Sequence, residues 1–239
     1  MSGQWGQFWG VGVGPGDPEW LTLKGLRVLQ SVPVLACPQG RDDQPGVAYS
    51  IVQRFLTPQQ AVVTLDLPFV FDTDTLAAAW EEAATRIVSY LRSGQDVAFV
   101  SEGDVSFYST FTYVARAVHL QAPQVTIEAI PGVASPLAAA ASLRSPLAIW
   151  DDKVAILPAA HQPEELARAL DWADVVILMK VSSVFEEVWH LLAARGLLNY
   201  CSLVEWVGTP QEQVYTSLEG LEQYHPPYFS TVIVRQPRR

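Results

Sequence analysis

The sequence predicts an α/β fold, on three observations. Short β-rich apolar runs alternate with helical patterns along the whole chain, which is the signature of α/β layering. Hydrophobic residues make up 49% of the 239 and charged residues 17%, enough to bury a core and too apolar for a disordered chain. Several apolar runs end in Gly/Pro loops, where ligands bind in open α/β sheets.

Phe8–Val13 reads as a first strand ending in Gly14-Pro15-Gly16, and Leu21, Leu26, Val28 and Leu29 form a helical stripe up to Ser31. Val32–Ala36 is a second strand and Tyr49–Leu56 a short helix. Thr73–Ser93 is the clearest helix: Leu76, Trp80, Ala84, Ile87 and Leu91 share one face, and Gly94 supplies the stop. Asp96–Val100 is a continuous apolar strand, followed by the loop Ser101–Val105 and a helix over Phe111–His119. Thr126–Ile130 is a strand ending at Pro131-Gly132, with an Ala-rich helix from Ser135 to Ser142.

Lys153–Leu157 and Val175–Met179 are strands separated by a helix that Pro163 can open at its first position. Ser183–Arg195 is amphipathic and stops at Gly196; Ser202–Trp206 and Phe229–Val234 are the last strands expected. Two α/β halves meeting near residues 116–124 give domains of 1–119 and 120–239, with no internal repeat.

The formal charge is -10, with only 15 Lys and Arg and no basic run, so a nucleic-acid partner is not expected. No apolar stretch reaches the ~18 residues that span a bilayer. The N-terminal MSGQWGQFWG lacks a basic segment leading an apolar core, so no signal peptide is expected either. Cys37 and Cys201 fit no CxxC or zinc spacing and read as buried thiols of a cytoplasmic protein. His119, His161, His190 and His225 show no ligand spacing, and a protein-bound metal is not expected.

Gly12-Val13-Gly14-Pro15-Gly16 fails as a dinucleotide fingerprint, because the third glycine would fall on Pro15 or Asp17 and no acidic residue follows the next strand. It fails as a Walker loop for want of Gly-Lys-Ser/Thr. Alone, it can also be a plain tight turn. In Ser101-Glu102-Gly103-Asp104-Val105, a glycine between two carboxylates lets a ligand approach the backbone. Asp104 can accept from ribose hydroxyls or an amino group and complement a cation, or it can form an Asx turn. Glu102 contributes backbone more readily than side chain. Pro131–Ser135 offers small residues and amides at a helix start.

GVGVGPGDPEWLTLKGLRVL, VSEGDVSFYSTFTYV, IPGVASPLAAAASLRSPL and PPYFSTVIV occur in this order. Together they resemble the tetrapyrrole (corrin/porphyrin precursor) methylase family across Phe8 to Val234. SFYSTF and PLAIWDDKVAILPA resemble its branch acting on carbon 20 of precorrin-2 or cobalt-factor II. That resemblance implies a two-domain methylase, usually a homodimer, with S-adenosylmethionine in the cleft between domains. By motif position it implies cofactor contacts at Pro15, Glu102, Gly103, Asp104, Phe107, Ala134, Ser135 and Met179, with later ones at Gly208 and Thr231. The family's acidic loop usually has proline where Val105 stands, which relaxes the loop and restores an amide. The Asp and Lys of related uroporphyrinogen methylases have no counterpart in ACPQGRD.

Methyl transfer from a sulfonium needs carbon, methyl and sulfur in line, and positioning supplies much of the rate. The electron-rich C-20 carbon needs no strong protein base. Tyr108 can orient the macrocycle or assist proton transfer, or begin the next helix as a core aromatic. Arg41, Arg144 and Lys153 are candidates for the substrate's acetate and propionate arms, or solvated surface charges. The rival functions are a sister methylase acting at another corrin carbon, an RNA or diphthamide branch, and a SAM-binding module without turnover.

Overall fold

A computed structural model describes residues 4–40, 46–68, 70, 72–158 and 163–237. The chain divides into two compact units, Met1–Ala134 and Ser135–Arg239.

The first unit is built on five strands: β1 (Phe8–Gly12), β2 (Val34–Pro38), β3 (Ala61–Leu65), β4 (Val97–Ser101) and β5 (Ile127–Ile130). Their order is β3-β2-β4-β1-β5 and every pairing is parallel. A parallel sheet covered on both faces needs strands apolar on both sides, and β4, Val-Ala-Phe-Val-Ser, is buried at every residue. Alternate residues feed two cores. Val11, Leu35, Ala98, Val100 and Ile130 pack with helices α1 (Leu23–Ser31) and α2 (Val47–Val52). Phe8, Val34, Ala36, Val97 and Phe99 pack with α3 (Thr73–Arg92) and α4 (Phe111–Gln121).

Gly10 of β1 makes room for a ring from α4, since a Cβ there would lie 2.3 Å from the Phe111 ring. Thr22 caps α1 by accepting from the Gly25 amide at 3.1 Å, and Asp72 caps α3 by accepting from the Thr75 amide at 2.8 Å. Hydrogen bonds from the Thr75 hydroxyl and amide hold the Asp72 carboxyl below the usual carboxylate range.

The connection from β1 leads to β2 on one side, whereas that from β4 leads to β5 on the other. Adjacent strands β1 and β4 therefore send their connections to opposite faces. That is a topological switch point, and the loops after both strands open there.

The second unit holds β6 (Val154–Pro158), β7 (Val175–Met179), β8 (Cys201–Glu205), β9 (Gln213–Tyr215) and β10 (Ser230–Arg235), in the order β6-β7-β10-β8-β9. β6 and β7 are parallel and the other pairings antiparallel. Helices α6 (Pro163–Trp172) and α7 (Phe185–Ala194) pack on Val176, Leu178, Leu203, Val232 and Val234. α5 (Ser135–Ser142) also belongs to this unit.

The division falls after Ala134, later in the chain than the 119/120 boundary expected from sequence. β5 pairs with β1, which ties residues up to the Pro131 loop to the first sheet. β3 and β9 were not expected: β3 is an edge strand with three exposed residues of five, and β9 is only three residues long. Both cysteines are buried, and desolvation pushes the Cys37 thiol up to about 11 and the Cys201 thiol up to about 12. Both are therefore protonated and unreactive near neutrality. Among the described residues, no helix is long and apolar enough to cross a membrane, and no His/Cys/Asp/Glu group could hold a metal.

Candidate functional site

Three loops of the first unit meet at the C-terminal ends of β1, β4 and β5. The Val13 amide donates to the Ser101 carbonyl at 3.0 Å. Beyond it Gly14 and Gly103 exchange backbone bonds, Gly14 N–H to Gly103 O at 3.1 Å and Gly103 N–H to Gly14 O at 2.9 Å. Both glycines are left-handed, at φ +79° and +69°, where side-chain-bearing residues are disfavoured. The third loop closes against the first two without space for a side chain. A Cβ on Gly132 would lie 2.2 Å from Gly103 O, and one on Gly12 would lie 2.6 Å from Gly132 N. Gly12, Gly103 and Gly132 are thus one backbone-on-backbone contact.

Asp104 ties the loops together. Its Oδ2 accepts from the Gly132 amide at 2.8 Å, and its Oδ1 accepts from the Ser106 amide at 2.8 Å and from the Ser106 hydroxyl. The carboxylate is buried, which alone would push it up; the Ser106 hydroxyl and the Gly132 and Ser106 amides outweigh that and hold it below the usual carboxylate range. The Ser106 contact is an Asx turn, so both carboxylate oxygens serve the loop. Val105 is 2% exposed in the core beside Phe99 and Phe111, so its side chain anchors the loop where proline was expected to rigidify it.

The buried hydroxyls of Ser101 and Ser109 lie 2.7 Å apart and close the two ends of the acidic loop. Between them Tyr108 takes φ +52° and is 50% exposed, its ring edge-on to Phe107 at 4.8 Å. A tyrosine in the left-handed region is a true outlier, and such strain gathers at functional positions. Pro15 is buried, Glu102 and Ala134 are half-buried, and Asp17 caps the short 3-10 turn Pro18–Trp20 by accepting from the Glu19 amide at 2.8 Å. The structure brings Pro15, Glu102, Gly103, Asp104, Phe107 and Tyr108 onto these adjoining loops.

In the second unit Met179 ends β7 directly across from Thr231 of β10. Ser135 begins α5. The Gly208 amide donates to Glu212 Oε2 at 2.7 Å, and the Ser142 hydroxyl donates to the same oxygen at 3.1 Å. Lys153 precedes β6 at the opposite end of this sheet from Met179, which pairs with Pro158 five strand residues on. That is about 17 Å of extended chain. Arg144 is exposed and left-handed just past α5, and Arg41 lies outside the described residues.

Sequence reasoning missed a buried acid. Glu205, at the end of β8, is 3% exposed; its Oε2 accepts from the Tyr224 hydroxyl at 3.0 Å, and Tyr224 accepts from Tyr215 at 3.1 Å. Its Oε1 has no partner among the described residues. Burial pushes the Glu205 carboxyl up, outweighing the Tyr224 bond, and burial together with these bonds pushes Tyr224 up. A raised carboxyl stabilises the fold below its unfolded pKa, and that stability is lost as pH rises through the raised value. Glu205→Gln should therefore gain stability over the wild type as pH increases from the carboxylate range towards neutrality, in urea denaturation at several pH values. Equal pH dependence of the two proteins would refute this. The only signal in sequence was a carboxylate inside the apolar run SLVEWV.

The family described as tetrapyrrole (corrin/porphyrin) methylases matches residues 7–222. The cobalt-precorrin-2 C(20)-methyltransferase of Salmonella typhimurium is 32% identical over 232 residues, covering 97% of each chain. The precorrin-2 C(20)-methyltransferase of a Sinorhizobium species is 31% identical over 238 residues, 96% of this chain and 95% of that one. The uroporphyrin-III C-methyl transferase of Thermus thermophilus, solved in complex with S-adenyl homocysteine, superposes with a TM-score of 0.69 at 20% identity, over 96% of this chain and 92% of that one.

Proposed function

Because the chain belongs to the tetrapyrrole (corrin/porphyrin) methylase family, we propose that it transfers a methyl group from S-adenosylmethionine to carbon 20 of precorrin-2 or its cobalt form, in cobalamin biosynthesis. The observation that carries this reading is end-to-end similarity, at 32% identity, to a relative named for that reaction. The first unit's loops suit the cofactor. At a switch point they present backbone rather than side chains, with glycines too tightly packed to bear a Cβ.

Pro15, Glu102, Gly103, Phe107 and Ala134 in the first unit, and Ser135, Met179, Gly208 and Thr231 in the second, are the proposed cofactor contacts. Asp104 is proposed as a contact with them, and it also holds the acidic loop on Gly132. Bound S-adenosylmethionine would supply the methyl group from its sulfonium, with the C-20 electron pair forming the C–C bond as the C–S bond breaks. What the chain contributes is alignment, and a rigid loop clamp is suited to it. Tyr108, held outward by its left-handed backbone, orients the macrocycle and assists loss of the C-20 proton. Arg144 remains a candidate for a substrate carboxylate at the exposed end of α5. A homodimer in the cytoplasm is the assembly and location this reading carries.

The test is to incubate the protein with S-adenosylmethionine and either tetrapyrrole, then follow the product by mass spectrometry. A gain of one methyl group is expected; no gain on either compound, with S-adenosylhomocysteine still bound in calorimetry, would leave a binding module and refute the enzyme. Tyr108→Phe should lower kcat by about 100-fold if its hydroxyl moves the proton. Its affinity for S-adenosylhomocysteine should not change, and an unaltered kcat would remove Tyr108 from the chemistry.

A further inference from the structure

Directly after Met179, Lys180 takes φ +55° and ψ 40°, inside the left-handed region. Glycine adopts that conformation freely, whereas a lysine is strained in it. The side chain gains little structural compensation. Its ammonium lies 6.0 Å from the centre of the Tyr228 ring, and among the described residues no carboxylate pairs with it. Three other cations are committed to carboxylates: Arg195 bonds Asp171 at 2.7 Å, Arg235 bonds Asp152 at 3.2 Å and Lys24 bonds Glu128 at 3.2 Å.

Lys180 is half-buried and stands at the same end of the second sheet as Met179 and Thr231. Lys153 stands at the other end. A protein of charge -10 that takes an anionic ligand needs cations placed where the ligand lies. A strained backbone that carries an uncommitted charge at that end meets the requirement.

We propose that Lys180 binds a ligand carboxylate at this end of the second sheet, supplied by an acetate or propionate arm of the tetrapyrrole or by the amino-acid end of the cofactor. The assignment rests on the function proposed above.

Three variants test it: Lys180→Gly, Lys180→Ala and Lys180→Arg. Glycine relieves the left-handed strain, so K180G should unfold at the wild-type temperature or above it. The same variant should lose affinity for one carboxylate ligand by about tenfold, the worth of a charge-assisted hydrogen bond. K180R keeps the charge and should recover most of that affinity.

A raised KM for the tetrapyrrole with an unchanged Kd for S-adenosylhomocysteine assigns the tetrapyrrole arm. The reverse assigns the cofactor carboxylate, and 5′-methylthioadenosine, which lacks that group, should then bind K180G and wild type alike. If K180G and K180A leave both constants within about twofold of wild type, the proposal fails. It also fails if affinity falls only together with the unfolding temperature and K180R does not recover it. Should the wild type bind S-adenosylhomocysteine yet transfer no methyl group, the function fails separately. Lys180 is then decided by calorimetry with S-adenosylhomocysteine and by fluorescence titration with sirohydrochlorin.

Discussion

Gly132→Ala is expected to destabilise the first unit by about 3 kcal/mol or more and to abolish binding of S-adenosylhomocysteine. The added methyl group would sit 2.2 Å from Gly103 O and 2.7 Å from Gly12 C, and both are backbone atoms of loops already bonded to each other. A flexible side chain could turn away from such a contact. Here one loop must move as a whole, which also breaks the bond from the Gly132 amide to Asp104. Gly12→Ala should behave alike, since its methyl group would meet Gly132 N at 2.6 Å and Gly103 O at 2.8 Å. Gly196→Ala provides the comparison. Gly196 has φ +67° but nothing within 4 Å of an added Cβ, so it should cost only the left-handed strain, about 1 kcal/mol. Urea denaturation and calorimetry measure both effects; a Gly132→Ala protein as stable as Gly196→Ala would remove the glycine contact from the account.

Asp104→Ala should cost about 3 kcal/mol, because it leaves the Gly132 and Ser106 amides without their charged acceptor. Asp104→Asn should cost about 2 kcal/mol, since one amide oxygen can satisfy only one of the two sides. Both variants should weaken binding of S-adenosylhomocysteine about tenfold through loss of loop position. The pH dependence separates the charge from the shape. The Asp104 carboxyl is held below its usual range, so its contribution is present above the unfolded value, about 3.9, and is lost as pH falls through the folded value. The stability gap between wild type and D104N should therefore narrow in acid. A gap that stays constant down to the acid transition would mean that hydrogen-bond geometry alone, without ionisation, accounts for the role of Asp104.

Much of the first unit was legible in the chain. Val97–Ser101 is apolar at nearly every position because it is buried on both faces, and that composition marks a central parallel strand directly. The helix Thr73–Arg92 carries its buried face at a helical period between the Asp72 cap and Gly94. The three loops were legible because glycines stood at or just past the ends of three apolar strand runs. β3 was missed although Ala-Val-Val-Thr-Leu is an apolar, β-branched run; that it lies at a sheet edge, with Ala61, Val62 and Thr64 exposed, shows only in the structure. β9 carries too few residues for any period to register.

The sequence by itself determined the α/β class, the order of most elements, the glycine loops and membership of the methylase family. These depend on local periodicity, on turn chemistry and on motifs read along the chain. Only the tertiary structure decided which loop residues touch one another. By type Asp104 can be a ligand acceptor or a turn former; its bond to the Gly132 amide, 28 residues away, adds a loop tie that the residue type alone does not reveal. Lys153 and Lys180 are alike as side chains, and strand register alone sets them at opposite ends of one sheet. Register and contacts across the chain are three-dimensional outcomes of packing, which no local pattern encodes.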